Sequence, residues 1–254
     1  MKIAVVMEQV PDLAEDLEIA DNGAELDREY LAYVLNEFDD HALEEALQLK
    51  ELTGGTVTAF ALGTEDADDV LYTAVAKGAD AAVKVGDFED DVPDGHAAAR
   101  ALAQVLAGGS YDLILTGVQA IDDVDGWAAP LIATYMDIPH LSVVTHIAPA
   151  DGGVTVVQEY AGGLTAEFEV SFPAVLGVQA ARAVPRYAPV SKVRQAMQTA
   201  TLEAVDAPAG QASKAKVRRL YAPEATGHAE MLTGKAGEVA GKLVAILKER
   251  GLVG

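Results

Sequence analysis

Hydrophobic and polar positions along this chain follow two alternating rhythms. Short, nearly continuous apolar runs, KIAVVMEQV (2–10), TVTAFALG (56–63), AAVKVG (81–86) and YDLILTG (111–117), have the character of strands buried on both faces. Between them lie longer segments with apolar residues at helical spacing. DDHALEEALQLKELTG (39–54) stops at a glycine. EDADDVLYTAVAKGAD (65–80) opens with acids in its first turn, where the helix dipole favours them, and DGHAAARALAQVLAGG (94–109) is a third segment of this kind. Strands alternating with helices predict an α/β fold: a doubly wound, mainly parallel, Rossmann-like sheet with helices on both faces and right-handed crossovers.

After LSVVTHIAPA the rhythm changes. GVTVVQEYAGGLTAEFEVSFPAVLGVQ (153–179) predicts two antiparallel strands around Gly162 and Gly163, then an apolar strand starting near Pro173. From 183 to 211 no core-forming strand is evident, and the Pro, Ala and basic content predicts an exposed loop, a short helix and a linker. GKAGEVAGKLVAILKERG (234–251) reads as an amphipathic helix. The expected organisation is an α/β domain with its hairpin over residues 1–182 and an extended arm over 183–254. A closing helix of this kind often wraps a partner rather than its own core.

Composition narrows the classes. The 254 residues include 40 Asp and Glu against 18 Lys and Arg, a formal charge of −22. Such a field repels phosphate backbones and anionic headgroups, so no binding to nucleic acid or anionic membrane is expected. The acids are spread along the chain (Glu15, Asp16, Asp39, Asp40, Glu44, Glu45, Asp68, Asp69, Asp90, Asp91) rather than gathered in a tail. That distribution predicts a solvated surface in a salt-rich, halophilic cytoplasm, where screening relieves the self-repulsion. The lack of cysteine excludes disulfides, thiolate ligands and cysteine nucleophiles, and the five histidines show no metal-ligand spacing. MKIAVVMEQVPD reads as a strand running into Pro11 rather than a signal peptide, and no apolar run approaches membrane-spanning length. A cytoplasmic chain without membrane insertion is the expectation.

The candidate chemistry centres on LILTGVQAIDDVDGWAAPLIATYM (113–136), which begins as a buried strand and ends as a helix. A strand that hands over to a helix through Gly, Asp and Asp is where α/β proteins commonly place a phosphate. Gly117 permits close backbone approach, and Asp122 and Asp123 offer N-cap oxygens. Gly126, Trp127 and Ala128 would present backbone N–H groups at the helix start. The same residues also suit a helix cap with no ligand, and taken alone they leave both readings open. Two further pieces, NEFDDHALEE (36–45) and ALGTEDADD (61–69), occupy equivalent places. Asn36 is placed to meet a base edge, Asp39 to cap the helix, and Leu62 and Gly63 to face the same crevice. Three such pieces at carboxyl ends of parallel strands favour a nucleotide over three independent caps. Nothing specifies covalent or acid–base catalysis: there is no Walker lysine, GxGxxG or catalytic serine, His41 shares a helix with Glu44 and Glu45 without a nucleophile, and His96, His140 and His146 are isolated.

VPD after the first strand, NEFDDHALEEALQLKE, LYTAVAKGADAAVKV, GVQAIDD, VQEYAGG, FPAVLGVQ, PRYAPVSKVRQA and LVAILKERGLV, in this order, resemble the β (small) subunit of electron transfer flavoproteins over almost the whole chain. The resemblance implies a heterodimer with a larger α subunit that holds a redox-active FAD, to whose site the β subunit adds one wall. It also implies an AMP in the β subunit, or a second FAD in electron-bifurcating members that accept a hydride from NADH. By position, adenine would meet Val6, Asn36, Glu37, Phe38, Asp39 and Leu62. The phosphate would lie along Gly117, Val118, Gln119, Ala120, Ile121, Asp122, Asp123, Val124, Asp125, Gly126, Trp127 and Ala128. The segment after PRYAP resembles the family's docking loop, which inserts an apolar residue, here Val190, into an acyl-CoA dehydrogenase; Lys192 and Arg194 stand beside it.

The chain also departs from the pattern. Trp127 and Ala128 stand where the family has Gln and then Thr or Val, which leaves backbone amides and the helix dipole to hold the phosphate. Asp125 adds a negative charge there. Glu8 replaces the usual lysine after the first strand, and Tyr72 and Ala81 replace the arginine pair around the GAD block. The resemblance implies an electron carrier with no independent turnover, passing electrons from flavin dehydrogenases to a quinone reductase. The alternative within the family is a bifurcating subunit with a second FAD. The alternative of another class is a stand-alone nucleotide-binding regulatory module, which would not need the arm after residue 180.

Overall fold

The structure, a computed structural model, describes residues 1–64, 67–88, 92–123, 126, 128–207, 216–223 and 229–253. Its elements run β1 (Lys2–Val6), β2 (Gln9–Pro11), β3 (Tyr33–Leu35), α1 (Glu37–Thr53), β4 (Thr56–Leu62), α2 (Ala67–Lys77), β5 (Ala81–Val85), α3 (Gly95–Gly108), β6 (Leu113–Gly117), α4 (Ala128–Met136), β7 (His140–Ala150), β8 (Gly153–Tyr160), β9 (Leu164–Ser171), β10 (Ala174–Val178), α5 (Val190–Thr199), β11 (Glu203–Val205) and α6 (Ala236–Glu249). Among the described residues, nine strands form one sheet in the order β11-β5-β4-β1-β6-β10-β7-β8-β9. Strands β11 through β7 run parallel, and β8 and β9 extend the sheet as an antiparallel hairpin. The α/β class and the mainly parallel sheet expected from the sequence are both present.

Strand alternation builds the two apolar layers. Ile3, Val5 and Met7 face one layer with Leu43, Leu47 and Leu49 of α1 and Val70 and Leu71 of α2. Ala4 and Val6 face the other, with Leu102 and Leu106 of α3 and Ile132 of α4. Each fully buried leucine stabilises the fold by about 2 kcal/mol of area burial. Helix α1 ends at Gly54, whose φ of 67° is the left-handed cap that a glycine adopts without strain. Asp94 caps α3 by accepting from the Ala97 amide.

Four features differ from the sequence reading. The run 2–10 is two strands, because the Glu8 amide bonds the Asp39 carboxylate instead of a neighbouring strand, and β2 then pairs antiparallel with β3. Strand β7 is eleven residues long and serves two partners, β10 in parallel and β8 in antiparallel. Val143, at φ 62°, lies in the irregular stretch where β7 changes partner. Between 183 and 211, where no core-forming strand was expected, the chain adds only β11, a three-residue edge strand beside β5 with no buried residue and too short to show an alternation. The segment around Val190, expected as a loop, is the first turn of α5; the loop lies before it.

The described residues divide into two compact units, Met1–Arg218 and Arg219–Gly254. The described residues of 183–218 thus group with the first. In the second, α6 carries Val239, Leu243, Ile246 and Leu247 at helical spacing, and none of its residues is buried. Among the described residues no helix is long and apolar enough to cross a membrane.

Candidate functional site

Strand β1 lies between β4 and β6. The chain leaves β1 to build β4 and β5 on one side, then returns to build β6 and β10 on the other. Connections that diverge from adjacent parallel strands leave a crevice at the carboxyl ends, the usual ligand position of an open α/β sheet. Here the crevice is framed by the ends of β1, β4 and β6. It gathers Val6, Leu62 and Gly117 with the start of α1, and with residues 118–123 and 126 of the following loop.

Asp39 bridges the two central strands. It is 3% exposed, and its carboxylate accepts from the Gly117 amide at 2.7 Å and the Glu8 amide at 2.9 Å. The expected helix-capping role is therefore corrected: the N-cap position belongs to Asn36, and Asp39 joins β1 to β6 instead. Burial pushes the Asp39 carboxyl up to about 7, against the hydrogen bonds from Gly117, Glu8 and Asn36 that favour its charged form; nearby Asp123 raises it further. Asn36 is 3% exposed, and its side-chain amide donates to the Gln119 carbonyl at 3.0 Å, tying the loop to α1.

Gly117 does allow close approach, but of protein. A Cβ there would lie 2.6 Å from Asp39 Oδ1 and 2.7 Å from Phe38 Cβ, so the missing side chain is what admits α1 to the end of β6. The loop beyond folds on itself. Asp123 accepts from the Gly126 amide at 3.2 Å and from the Ala120 amide at 3.4 Å. The expectation that the Gly126 amide stands open for an anion is corrected, since Asp123 holds it. Val124, Asp125 and Trp127 lie outside the described residues.

The electrostatics of this mouth are acidic. The Glu8 carboxyl is crowded by protein although part of its side chain meets solvent, and it is held well above the usual carboxylate range by that burial and by Asp39, Asp122 and Asp123. Burial, with Asp123 beside it, also raises Asp122. Loop 117–128 contains no lysine or arginine. The residues present therefore fit the base end of an adenine nucleotide better than its phosphate: the half-buried apolar Phe38, Leu62 and Val118 stand near the polar Asn36, whereas a phosphate would rest on backbone amides beside carboxyl groups.

A second constellation escaped the sequence reading. Glu44 and Glu45, together with Glu51, hold the segment that leads into α5. Glu45, with a side chain 1% exposed, accepts from the amides of Ile147 (3.2 Å) and Arg182 (3.1 Å) and from Arg182 Nε (2.9 Å). Glu44 accepts from the Arg186 amide, Nε and Nη2 at 2.8–3.0 Å, and Glu51 from Arg186 Nη1 at 2.9 Å. Burial pushes the Glu44 carboxyl up, but the hydrogen bonds from Arg186 and Gln48 outweigh it and hold the group below its usual value. His41 Nδ1 accepts from the Ala181 amide at 3.2 Å. The signal available was charge: residues 170–202 contain four cations and no acid in a chain of charge −22. Val190, Lys192 and Arg194 stand exposed on α5 just beyond.

Comparison with known proteins joins these parts. Residues 24–210 match the electron transfer flavoprotein domain family. The electron transfer flavoprotein subunit beta of Methylophilus methylotrophus is 35% identical over 98% of both chains. That of Bacillus subtilis is 30% identical over the full length of both, and that of Syntrophomonas wolfei is 33% identical over 89% of this chain and 87% of its own. This chain belongs to the electron transfer flavoprotein family, as a β (small) subunit.

Proposed function

We propose that this chain pairs with a larger α subunit to form an electron carrier between flavin dehydrogenases, such as acyl-CoA dehydrogenases, and a quinone reductase. The end-to-end match to β subunits carries this reading. FAD, held mainly by the α subunit, would supply the redox chemistry. The β chain would close one wall of that site and restrict water there.

The switch-point crevice would hold AMP. Val6, Phe38 and Leu62 would face the adenine, Asn36 and the α1 start (Glu37 to Asp39) its edge, and the loop Gly117 to Ala128 the phosphate. With no cation in that loop and Glu8 and Asp122 nearby, the adenine end would supply most of the hold on the nucleotide. Val190, Lys192 and Arg194 would meet the dehydrogenase, and the apolar stripe of α6 would lie against the α subunit. The spread acidic charge fits a cytoplasm rich in salt.

The test uses the co-expressed heterodimer, a flavin dehydrogenase and the dehydrogenase's substrate. Bleaching of the heterodimer's visible flavin absorbance, with no turnover from the β chain alone, is expected. Turnover by the β chain without an α subunit, or a heterodimer that no dehydrogenase reduces, would refute the proposal.

A further inference from the structure

The eleven residues between β10 and α5 have no strand partner in the sheet, yet several of their backbone amides are held by α1 and β7. Gln179 donates to the Val144 carbonyl at 2.8 Å, Ala181 to His41, Arg182 to Glu45 and Arg186 to Glu44. The two arginines also send their guanidinium groups back to these same glutamates, Arg186 adding Glu51. Side-chain exposure is 23% for Arg182 and 33% for Arg186, against 1% for Glu45 and 6% for Glu44. The Arg182–Glu45 and Arg186–Glu44 pairs, with glutamates this enclosed, are weakly screened, so concentrated salt leaves them in place while it damps surface pairs such as Arg186–Glu51. Pro185 and Pro189 remove further freedom from the segment.

Helix α5 packs against α2, but only Ala196 of its ten residues is buried. Its seat therefore depends heavily on the segment that leads into it. Beyond the clamp, Tyr187 is 81% exposed, Val190 61% and Met197 42%, with Lys192 and Arg194 exposed beside them. Arg182 and Arg186 are neutralised against α1, so the outward charge of this island comes from Lys192 and Arg194. An apolar patch with two cations, on an otherwise acidic protein, fits an apolar recess with an acidic rim.

We propose that Glu44, Glu45 and Glu51, with Arg182 and Arg186, are positioning residues that clamp segment 181–189 to α1 and so present Val190, Lys192 and Arg194 already ordered to the electron-donating dehydrogenase. This rests on the docking role proposed above for those three residues. Ordering a surface segment before encounter removes an entropic cost of association. Loss of the clamp should therefore weaken encounter and leave the electron-transfer step intact.

The experiment measures steady-state kinetics of the dehydrogenase with the heterodimer as electron acceptor, together with amide hydrogen exchange. Arg186→Ala should raise the KM for the heterodimer about tenfold, keep kcat and FAD content, and speed exchange over residues 181–189. Arg186→Lys, which keeps the charge and loses the fork, should fall between the two; it serves as the test if the alanine variant does not assemble. Val190→Asp serves as the control for docking. If Val190→Asp raises KM and Arg186→Ala loosens the segment without changing KM, the clamp is structural only and the inference is overturned. Unchanged exchange in Arg186→Ala also overturns it. If Val190→Asp leaves KM unchanged, the docking reading fails, and the inference falls with it.

Discussion

Asp39→Asn is the sharpest perturbation of the crevice. The carboxylate satisfies two backbone amides at once, one between β1 and β2 and one at the end of β6, from a site 3% exposed. Asparagine offers one acceptor oxygen and turns an NH2 donor towards the other amide. A lost hydrogen bond with a buried donor left unpaired costs about 1–3 kcal/mol, or about 2–4 °C of melting temperature per kcal/mol at this chain size. The pH dependence gives the sign. Asp39 is raised from 3.8 to about 7 in the folded protein, so its contribution is fully present below the unfolded value and is lost as pH rises through about 7. Asparagine has no such titration. Thermal unfolding should therefore show the largest gap between wild type and variant at pH 5.5. The gap should narrow towards pH 8, at no more than about 1.4 kcal/mol per unit. A gap that widens with pH would mean that the amide hydrogen bonds outweigh burial and hold Asp39 in its charged form, and would refute the burial-dominated titration.

Gly117→Ala should cost about 1–3 kcal/mol in chemical denaturation, because its Cβ would overlap Asp39 and Phe38, both fixed by α1. Unchanged stability would mean that α1 can retreat. Glu45→Gln should lower stability by about 1–3 kcal/mol and speed exchange of the Ile147 and Arg182 amides; protection kept at both would remove Glu45 from the clamp. Raising potassium chloride from 0.1 to 2 M should raise the melting temperature, since the charge of −22 repels itself. A melting temperature that is flat or falls with salt would count against the halophilic reading.

The periodic parts of the chain were legible for plain reasons. Strands β1, β4, β5 and β6 are buried on both faces and read as continuous apolar runs, and α1 and α3 end or begin at residues suited to caps. What was not legible depends on residues far apart in sequence. Asp39 looks like a first-turn acid until β6 is brought beside it, 78 residues on. The free amide expected at Gly126 is held by an aspartate three residues earlier, a local competitor the motif does not reveal. Glu44 and Glu45 passed for a solvated pair on a helix because their partners, Arg182 and Arg186, lie some 140 residues away. β11 was missed because three residues carry no period.

On the proposed reading, this subunit joins an α subunit around one flavin and keeps an adenine nucleotide in its own crevice. The direct measurement is the amount of FAD and AMP released from the co-expressed complex, purified in high salt without dialysis. One FAD and one AMP per heterodimer is the predicted result. Two FAD and no AMP would replace the nucleotide assignment with the bifurcating one, and a chain that recovers neither an α subunit nor flavin would contradict the reading itself.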